Sequence, residues 1–447
     1  MSRMVVGRGG VVASGHPSVS KAGVEILRRG GNAVDAAVGA FFTAFHAEPL
    51  LASPAGAGFM VAEVDREPVA WDFFAVAPGL GAGTEPYQPH PDAFWAEVVD
   101  FGSATQAFHI GPGSVAVPGA LAGLCTAQRE AGRLSLAEVL EPALAACESG
   151  TSTMGMGAFV VDLLEPIVRS NPDFERFFLN RDGKLLRPGD RFHNPALGRF
   201  YEALAAAGSA DVLYDGPLSD LLVDTVAGRG GGLTREDLRA YEVRRSRPLE
   251  VPLSGGAAHL LLTPPVSSGG MLIAYAAALL EAFPVPPPGS LDDVLLLRAV
   301  MAQTLHARTE VIGGATPDTP HVDRLLDPTY VAAGQERVRD LLTFGAGALP
   351  EEPPEAFGWS TTQISVIDAE GNACAVTISN GECSGLVLPG HGVFINNFLG
   401  EQDINPEGYH RFPPGARMGS SMAPLLLRQA DGTISAMWSG GANRIRN

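Results

Sequence analysis

Residues 361–378 constrain the chain more than any other stretch. Polar and apolar side chains alternate through Thr362-Gln363-Ile364-Ser365-Val366-Ile367-Asp368. Ala369-Glu370-Gly371-Asn372 supplies a turn, and residues 373–378 return as the second arm of a hairpin. Just before it, residues 349–359 read Leu-Pro-Glu-Glu-Pro-Pro-Glu-Ala-Phe-Gly-Trp, an acidic, proline-rich loop with no reason to pack. An exposed loop thus runs straight into a strand that opens on Thr361 and Thr362.

Elsewhere the periodicity is mostly helical. Val19, Ala22, Ile26 and Leu27 recur at helical spacing behind Ser18 as N-cap, and Gly30-Gly31 stops the run. A second helix starts at Asn32, which caps it while Asp35 complements its N-terminus; Val34, Val38, Phe41 and Phe45 form its apolar face. Residues 59–71 and 249–264 read as strand, 136–147 and 197–207 as helices, and 271–283 as a buried helix. Thr234 and Asp237 form a further capping pattern after a glycine-rich stop.

Composition closes several routes. Hydrophobic residues make up 46% and charged ones 18%, against about 45–50% and about 25% on average, so the chain is globular with a thinly charged surface. The formal net charge of -18, with no Lys/Arg cluster of five, argues against nucleic acid as a partner. The longest apolar run, residues 271–280, is too short for a bilayer and the first residues hold no secretory core, so a cytoplasmic protein without a membrane partner is expected. Four cysteines without a CxxC pair read as buried, idle thiols, and ten scattered histidines give no metal motif. Gly79-Leu80-Gly81-Ala82-Gly83 follows Pro78 with no strand-to-helix switch around it, and reads as a plain loop.

A threonine hydroxyl is a weak nucleophile unless a base stands beside it. When threonine opens a chain, its own α-amine, with a reference pKa of about 7.7–8.0, is that base. Such a start could be made internally: the Thr361 hydroxyl attacks the Ser360 carbonyl, the acyl group moves from nitrogen to oxygen, and water cleaves the ester. By itself Thr361 is more simply read as a β-former opening a strand.

The surrounding motifs add to that reading. The segment Ile26-Leu27-Arg28-Arg29-Gly30-Gly31-Asn32-Ala33-Val34-Asp35-Ala36-Ala37 is followed in order by Gly58-Phe59-Met60, Val117-Pro118-Gly119 and Pro264-Pro265-Val266-Ser267-Ser268-Gly269-Gly270. Thr361-Thr362-Gln363-Ile364-Ser365-Val366, Asn396-Asn397, Ser420-Ser421-Met422-Ala423-Pro424 and Ser439-Gly440-Gly441 complete the set. In these motifs the sequence resembles the γ-glutamyltranspeptidase family of N-terminal-nucleophile hydrolases, from about residue 7 onward.

The resemblance implies an α+β fold, the four-layer αββα sandwich, and a large subunit of residues 1–360 that stays associated with a small subunit of residues 361–447 after self-cleavage. It further implies Thr361 as nucleophile, Ser379 as the hydroxyl that orients it, and the backbone N–H groups of Gly440 and Gly441 as oxyanion hole. Ser420 and Ser421 would bind a substrate carboxylate. The substrate would be a small molecule, the acceptor water, an amine or a peptide, and no metal or organic cofactor is implied.

Three departures from the family pattern matter. Asp72-Phe73-Phe74-Ala75-Val76-Ala77-Pro78 stands where the family has Asp-Phe-Arg-Glu-x-Ala-Pro, so Phe74 replaces the arginine that grips the α-carboxylate of a γ-glutamyl group. Two residues are missing between Ser379 and Gly385, leaving Asn380 as the candidate binding asparagine, and Glu401 stands where an aspartate meets the substrate α-amine. The sequence ends at Asn447, soon after the glycine pair, and a C-terminally short fold is expected. The altered pocket resembles the divergent branch of alkylproline antibiotic pathways, which hydrolyses a carbon–carbon bond. Acid amide acylases, and a non-catalytic member or inactive fragment, stand as further readings.

Overall fold

The structure is a computed structural model and describes residues 7–102, 105–263, 269–312, 322–344, 361–405 and 407–438. The hairpin sits at its centre. Its arms, Thr361–Asp368 and Ala373–Ser379, pair antiparallel with Thr361 opposite Ser379 and Ile367 opposite Ala373. On one side β1 (Gly10–Ala13) adds to the first arm, and on the other β2 (Ala57–Val64), β3 (Glu67–Phe73) and the strand Arg244–Ser246 complete a six-stranded sheet. A four-stranded antiparallel sheet is built from Leu249–Leu253, Ala258–Leu262, Leu425–Gln429 and Ile434–Trp438.

Period-two alternation assigns the faces. Ile364, Val366, Cys374, Val376, Ile378, Met60 and Trp71 point to one side and join the core formed with α1 (Pro17–Arg28) and α2 (Ala33–Ala47). The other side carries Val61, Ala70, Ala373 and Ala375, which pack on Leu261, Leu426 and Ile434 of the second sheet. That sheet is covered in turn by the helix Gly270–Leu280, whose Ala274 and Ala277 meet Val251 and Leu262. Helix, sheet, sheet and helix thus form the expected four layers. A separate cluster of Val99, Phe108, Phe174, Phe178, Phe192 and Phe394 flanks them.

Two buried carboxylates anchor the N-terminus of α2, one to the segment around Arg133 and one to the large sheet. Asp35 accepts from the backbone N–H of Asn32 at 3.1 Å, closing the capping box with the Asn32 side chain, and from the N–H of Arg133 at 2.7 Å. Asp368, at the end of the first arm, accepts from the N–H of Ala33 at 3.1 Å, from the N–H of Asn372 at 3.0 Å and from Asn372 Nδ2 at 2.8 Å. A hydrogen bond to a charged group is worth about 1.5–3 kcal/mol, so these junctions weigh heavily in a fold of marginal stability.

Several local expectations need correction. His16, not Ser18, caps α1, its Nδ1 accepting from the Ser18 N–H, because Pro17 already occupies the first turn. Residues 59–71 are not one strand: Asp65 and Arg66 both take positive φ, 52° and 67°, and form a two-residue hairpin turn between β2 and β3. Residues 249–262 likewise fold back on themselves as two paired strands. α2 is buried on every side, wider than the stripe expected of it. Thr234 and Asp237 form the expected capping box, and the Asp237 carboxylate also receives the N–H groups of Gly79 and Leu80, anchoring the glycine run as a loop.

All four cysteines are buried and unbonded to one another, and burial pushes the thiols of Cys125, Cys147 and Cys383 up to about 12 and that of Cys374 higher still. Among the described residues no helix is long and apolar enough to cross a membrane. The acidic loop of residues 349–359 and the glycines of residues 440–441 lie outside the described residues.

Replacing Asp35 by Ala removes the capping box, leaves the Asn32 N–H buried without its acceptor and frees the Arg133 N–H from its anchor. The expected cost is about 2–4 kcal/mol, read as a fall in the urea midpoint with the slope of the transition unchanged.

Candidate active site

The first residue of a strand in the large sheet presents its side chain at the edge of the inter-sheet space. Thr361 and Thr362 are consecutive, so they fall on opposite faces. Thr362 belongs with Ile364 and Val366 on the helix side, where its hydroxyl donates to Glu48 Oε2 at 3.4 Å. Thr361, half-buried, faces the second sheet. Its register partner Ser379 is buried and pairs in turn with Ala57 of β2, so Thr361, Ser379 and Ala57 form a row across three strands.

Beyond Ser379 the chain makes a tight turn. The Ser379 hydroxyl accepts from the Gly381 N–H at 3.0 Å, and Gly381 takes φ +62°. A Cβ there would meet both Asn397 Oδ1 and Glu401 Oε1, so only glycine allows these groups to close over the turn. Asn397 Oδ1 accepts from the Glu382 N–H at 2.9 Å, and its Nδ2 donates to the His109 carbonyl at 3.3 Å. Asn380 is fully buried; its Nδ2 donates to Cys383 Sγ at 3.1 Å, while Oδ1 meets no donor among the described residues. Glu401 Oε1 is likewise buried without a donor there. Burial pushes the Glu401 carboxyl well above the usual carboxylate range, and the neighbouring charges of Glu382 and Asp403 push it the same way. A buried acceptor pair of this kind suits a ligand that brings N–H donors.

Phe74 closes the apolar side of the same region. Its ring stacks on Phe59 at 5.4 Å between centroids with planes 8° apart, and leans on Phe398 at 5.2 Å. Ala57, Met418 and Met422 belong to the same cluster. The Phe74 peptide is held at both ends: its N–H donates to Asp72 Oδ1 at 2.9 Å, and its carbonyl accepts from the Tyr241 hydroxyl at 2.9 Å and from Arg417. Arg417 also donates to the Glu242 carbonyl and lies over the Tyr241 ring. Ser420 and Ser421 are half-buried, with Ser420 Oγ accepting from the Met422 N–H at 3.2 Å; Met422 packs in the Phe74 cluster and so draws this segment to the site.

The structure therefore gathers Thr361, Ser379, Asn380, Glu401 and Phe74 around one end of the large sheet, with Ser420 and Ser421 joined through Met422. Glu382, Tyr241 and Arg417 join them without having stood out in the sequence, while Asn397 belongs to the Asn396-Asn397 motif. Arg417 had a usable signal, a lone cation three residues before Ser420. Glu382 had none, since nothing in the sequence brings it beside Glu401.

Comparison with known proteins now adds to the geometry. Residues 19–447 match the gamma-glutamyltranspeptidase family. The chain belongs to that family. The acylase ACY 1 proenzyme of Pseudomonas sp. (strain SE83) is 31% identical over 447 residues, covering 98% of this chain and 78% of that protein. The glutathione hydrolase proenzyme of Bacillus subtilis (strain 168) is 27% identical over 470 residues, covering 98% and 76%. The crystal structure of cephalosporin acylase from Bacillus halodurans superposes with a TM-score of 0.77 over 97% of this chain and 78% of that one, at 22% identity, a likeness of fold. As a member of a family of hydrolases and transferases the chain is an enzyme.

A carboxyl whose folded pKa is raised favours folding at low pH and loses that contribution as pH rises through the folded value. Stability of the protein is therefore expected to fall as pH rises from the ordinary carboxylate range toward the raised folded value, because there the unfolded chain has ionised while the folded protein still holds the proton on Glu401, and Glu401→Gln should flatten that fall. Urea midpoints of the two proteins across pH check this; parallel curves would contradict it.

Proposed function

We propose that this chain is a self-processing threonine hydrolase or acyltransferase that works through an acyl-enzyme on an amide or acyl-like bond. The Thr361 hydroxyl attacks the Ser360 carbonyl, and the resulting ester is hydrolysed, leaving residues 1–360 and a second chain that begins with Thr361. The Thr361 amine then takes the proton of its own hydroxyl as that oxygen attacks the substrate carbonyl. Ser379, across the strand pair, orients the nucleophile. The N–H groups of Gly440 and Gly441 hold the oxyanion, the leaving group takes the proton from the amine, and water or an acceptor amine releases the acyl group.

The two products would stay together. The strand opened by the cut lies between β1 and the second hairpin arm, with paired neighbours on both edges, buried Ile364 and Val366 on the helix side and partly buried Ile367 on the other. Separating the chains would expose all of it to water.

The observation that carries the substrate reading is Phe74 in its aromatic stack. An apolar wall where a guanidinium would grip a carboxylate favours an acyl group lacking that charge. Asn380 and Glu401 would receive N–H groups of the substrate, and Ser420 and Ser421 a carboxylate or carbonyl. The similarity to acylase ACY 1 and to cephalosporin acylase supports an amide as the bond cleaved. A second reading, hydrolysis of a carbon–carbon bond in alkylproline antibiotic biosynthesis, uses the same acyl-enzyme and is favoured by the same aromatic wall.

Intact mass under denaturing conditions should show two chains, the smaller starting at Thr361, and Thr361→Ala should abolish both the cut and turnover. An uncut wild-type chain would leave a non-catalytic role. Phe74→Arg should raise kcat/KM for a γ-glutamyl anilide by about 10- to 100-fold, the scale of a restored charge-assisted hydrogen bond. Efficient γ-glutamyl hydrolysis by the wild type, unchanged by this substitution, would overturn the pocket reading.

A further inference from the structure

On the helix side of the large sheet, behind the strand that opens on Thr361, lies a recess the reaction does not use. It is lined by Gly15 and His16 before α1, by residues 47–51 at the end of α2, and by residues around Thr151 and Val160. Leu50, Val160, Val161, Phe178, Leu186 and Phe192 make its walls apolar. Its open space is about 50 Å³. A water occupies roughly 10–15 Å³ on the same measure, so a short carbon chain fits where a few waters would otherwise sit.

One group is out of keeping with these walls. The Glu48 carboxyl lines the recess, close against Gly15, where any Cβ would collide with Oε1. The absence of a side chain at Gly15 is what leaves the carboxyl its place. The hydrogen bond that the carboxyl receives, from the Thr362 hydroxyl at 3.4 Å, is long for an O–H donor. Among the described residues no Lys or Arg lines the recess. His16 is committed elsewhere, with Nδ1 accepting from the Ser18 N–H and Nε2 at 3.0 Å from the Ser152 carbonyl. His46, behind the wall, bonds Thr151 Oγ1 and accepts from the Asn194 N–H; burial lowers it to about 3, so it is neutral and offers no counter-charge. Burial accordingly pushes Glu48 up to about 7.

A carboxyl in an apolar recess lacks a cation, and the apolar walls lack a body to cover. One molecule can supply both. We propose that this recess is a ligand site, separate from the acyl-enzyme site, for a small primary amine whose ammonium group pairs with Glu48 and whose alkyl or aryl body lies against Leu50, Val160 and Phe178.

Calorimetric titration of the full chain with butylamine tests this. Expected is saturable binding at one site per chain, retained in Thr361→Ala, and weakened about tenfold or more in Glu48→Gln, which removes the charge, and in Val160→Phe, which fills the recess. Binding should tighten from pH 6 to pH 8, because Glu48 ionises over that range while butylammonium stays charged. Butanol should bind at least about tenfold more weakly. Absence of saturable heat, equal binding of butanol, or affinity unchanged in both recess variants would each overturn the proposal. Binding lost in Thr361→Ala yet kept in Glu48→Gln would put the amine at the acyl-enzyme site and overturn it as well.

Discussion

The rest of the structure depends on the alternation of side chains along one strand. A strand cannot place two neighbouring residues on the same face, so Thr361 and Thr362, chemically identical, are divided by the thickness of the sheet. One looks into the space between the sheets, toward Ser379 and the Phe74 stack; the other looks at the end of α2 and meets Glu48. A slip of one residue in register would exchange the two and bury Gln363 among the helices. Register is protected at the far end of the same strand, where Asp368 accepts from the first N–H of α2 and from both nitrogens of Asn372.

That far end also connects elements that are remote in sequence. Asn372 passes the connection on, its Oδ1 accepting from the Asp65 N–H in the turn between β2 and β3. The hairpin, the N-terminus of α2 and the neighbouring hairpin are thus joined through a pair of side chains, while Asp35 ties α2 to the segment around Arg133. The sheet end that carries the site relies on other contacts. It is held by a tight glycine turn, by Asn397, and by buried carboxyls whose neighbours are also acidic. The polar scaffold is satisfied at one end of the strand, and the other end keeps acceptors in reserve.

What could be read beforehand follows the range of the forces involved. Local signals were legible: the alternation and turn of residues 361–378, the Asn32 and Thr234 capping boxes, the stop at Gly30-Gly31 and the anchored glycine loop all depend on neighbours a few residues away. The eight motifs gave the family and the four layers. Turns without glycine were not legible, since Asp65-Arg66 takes positive φ against the usual preference and only the paired strands enforce it. The acidic pair of Glu382 and Glu401, the double grip of Tyr241 and Arg417 on the Phe74 carbonyl, and the contact of Glu48 with Thr362 arise from segments up to hundreds of residues apart. Phe74 shows both limits: its identity announced a changed pocket, but its stacking partners Phe59 and Phe398 had to be seen in the fold.

The buried cysteines have a use of a different kind. Cys125 and Cys147 sit in helices of the first layer, Cys374 in the central strand pair, and Cys383 in the turn beside the site, where it packs with the flanking aromatic cluster. None is reactive while its surroundings stay closed, since a buried thiol is held in its protonated form. The rate at which each one is alkylated therefore clocks the opening of its own neighbourhood. The molecule carries native reporters of how its layers breathe, one of them in the turn that follows Ser379.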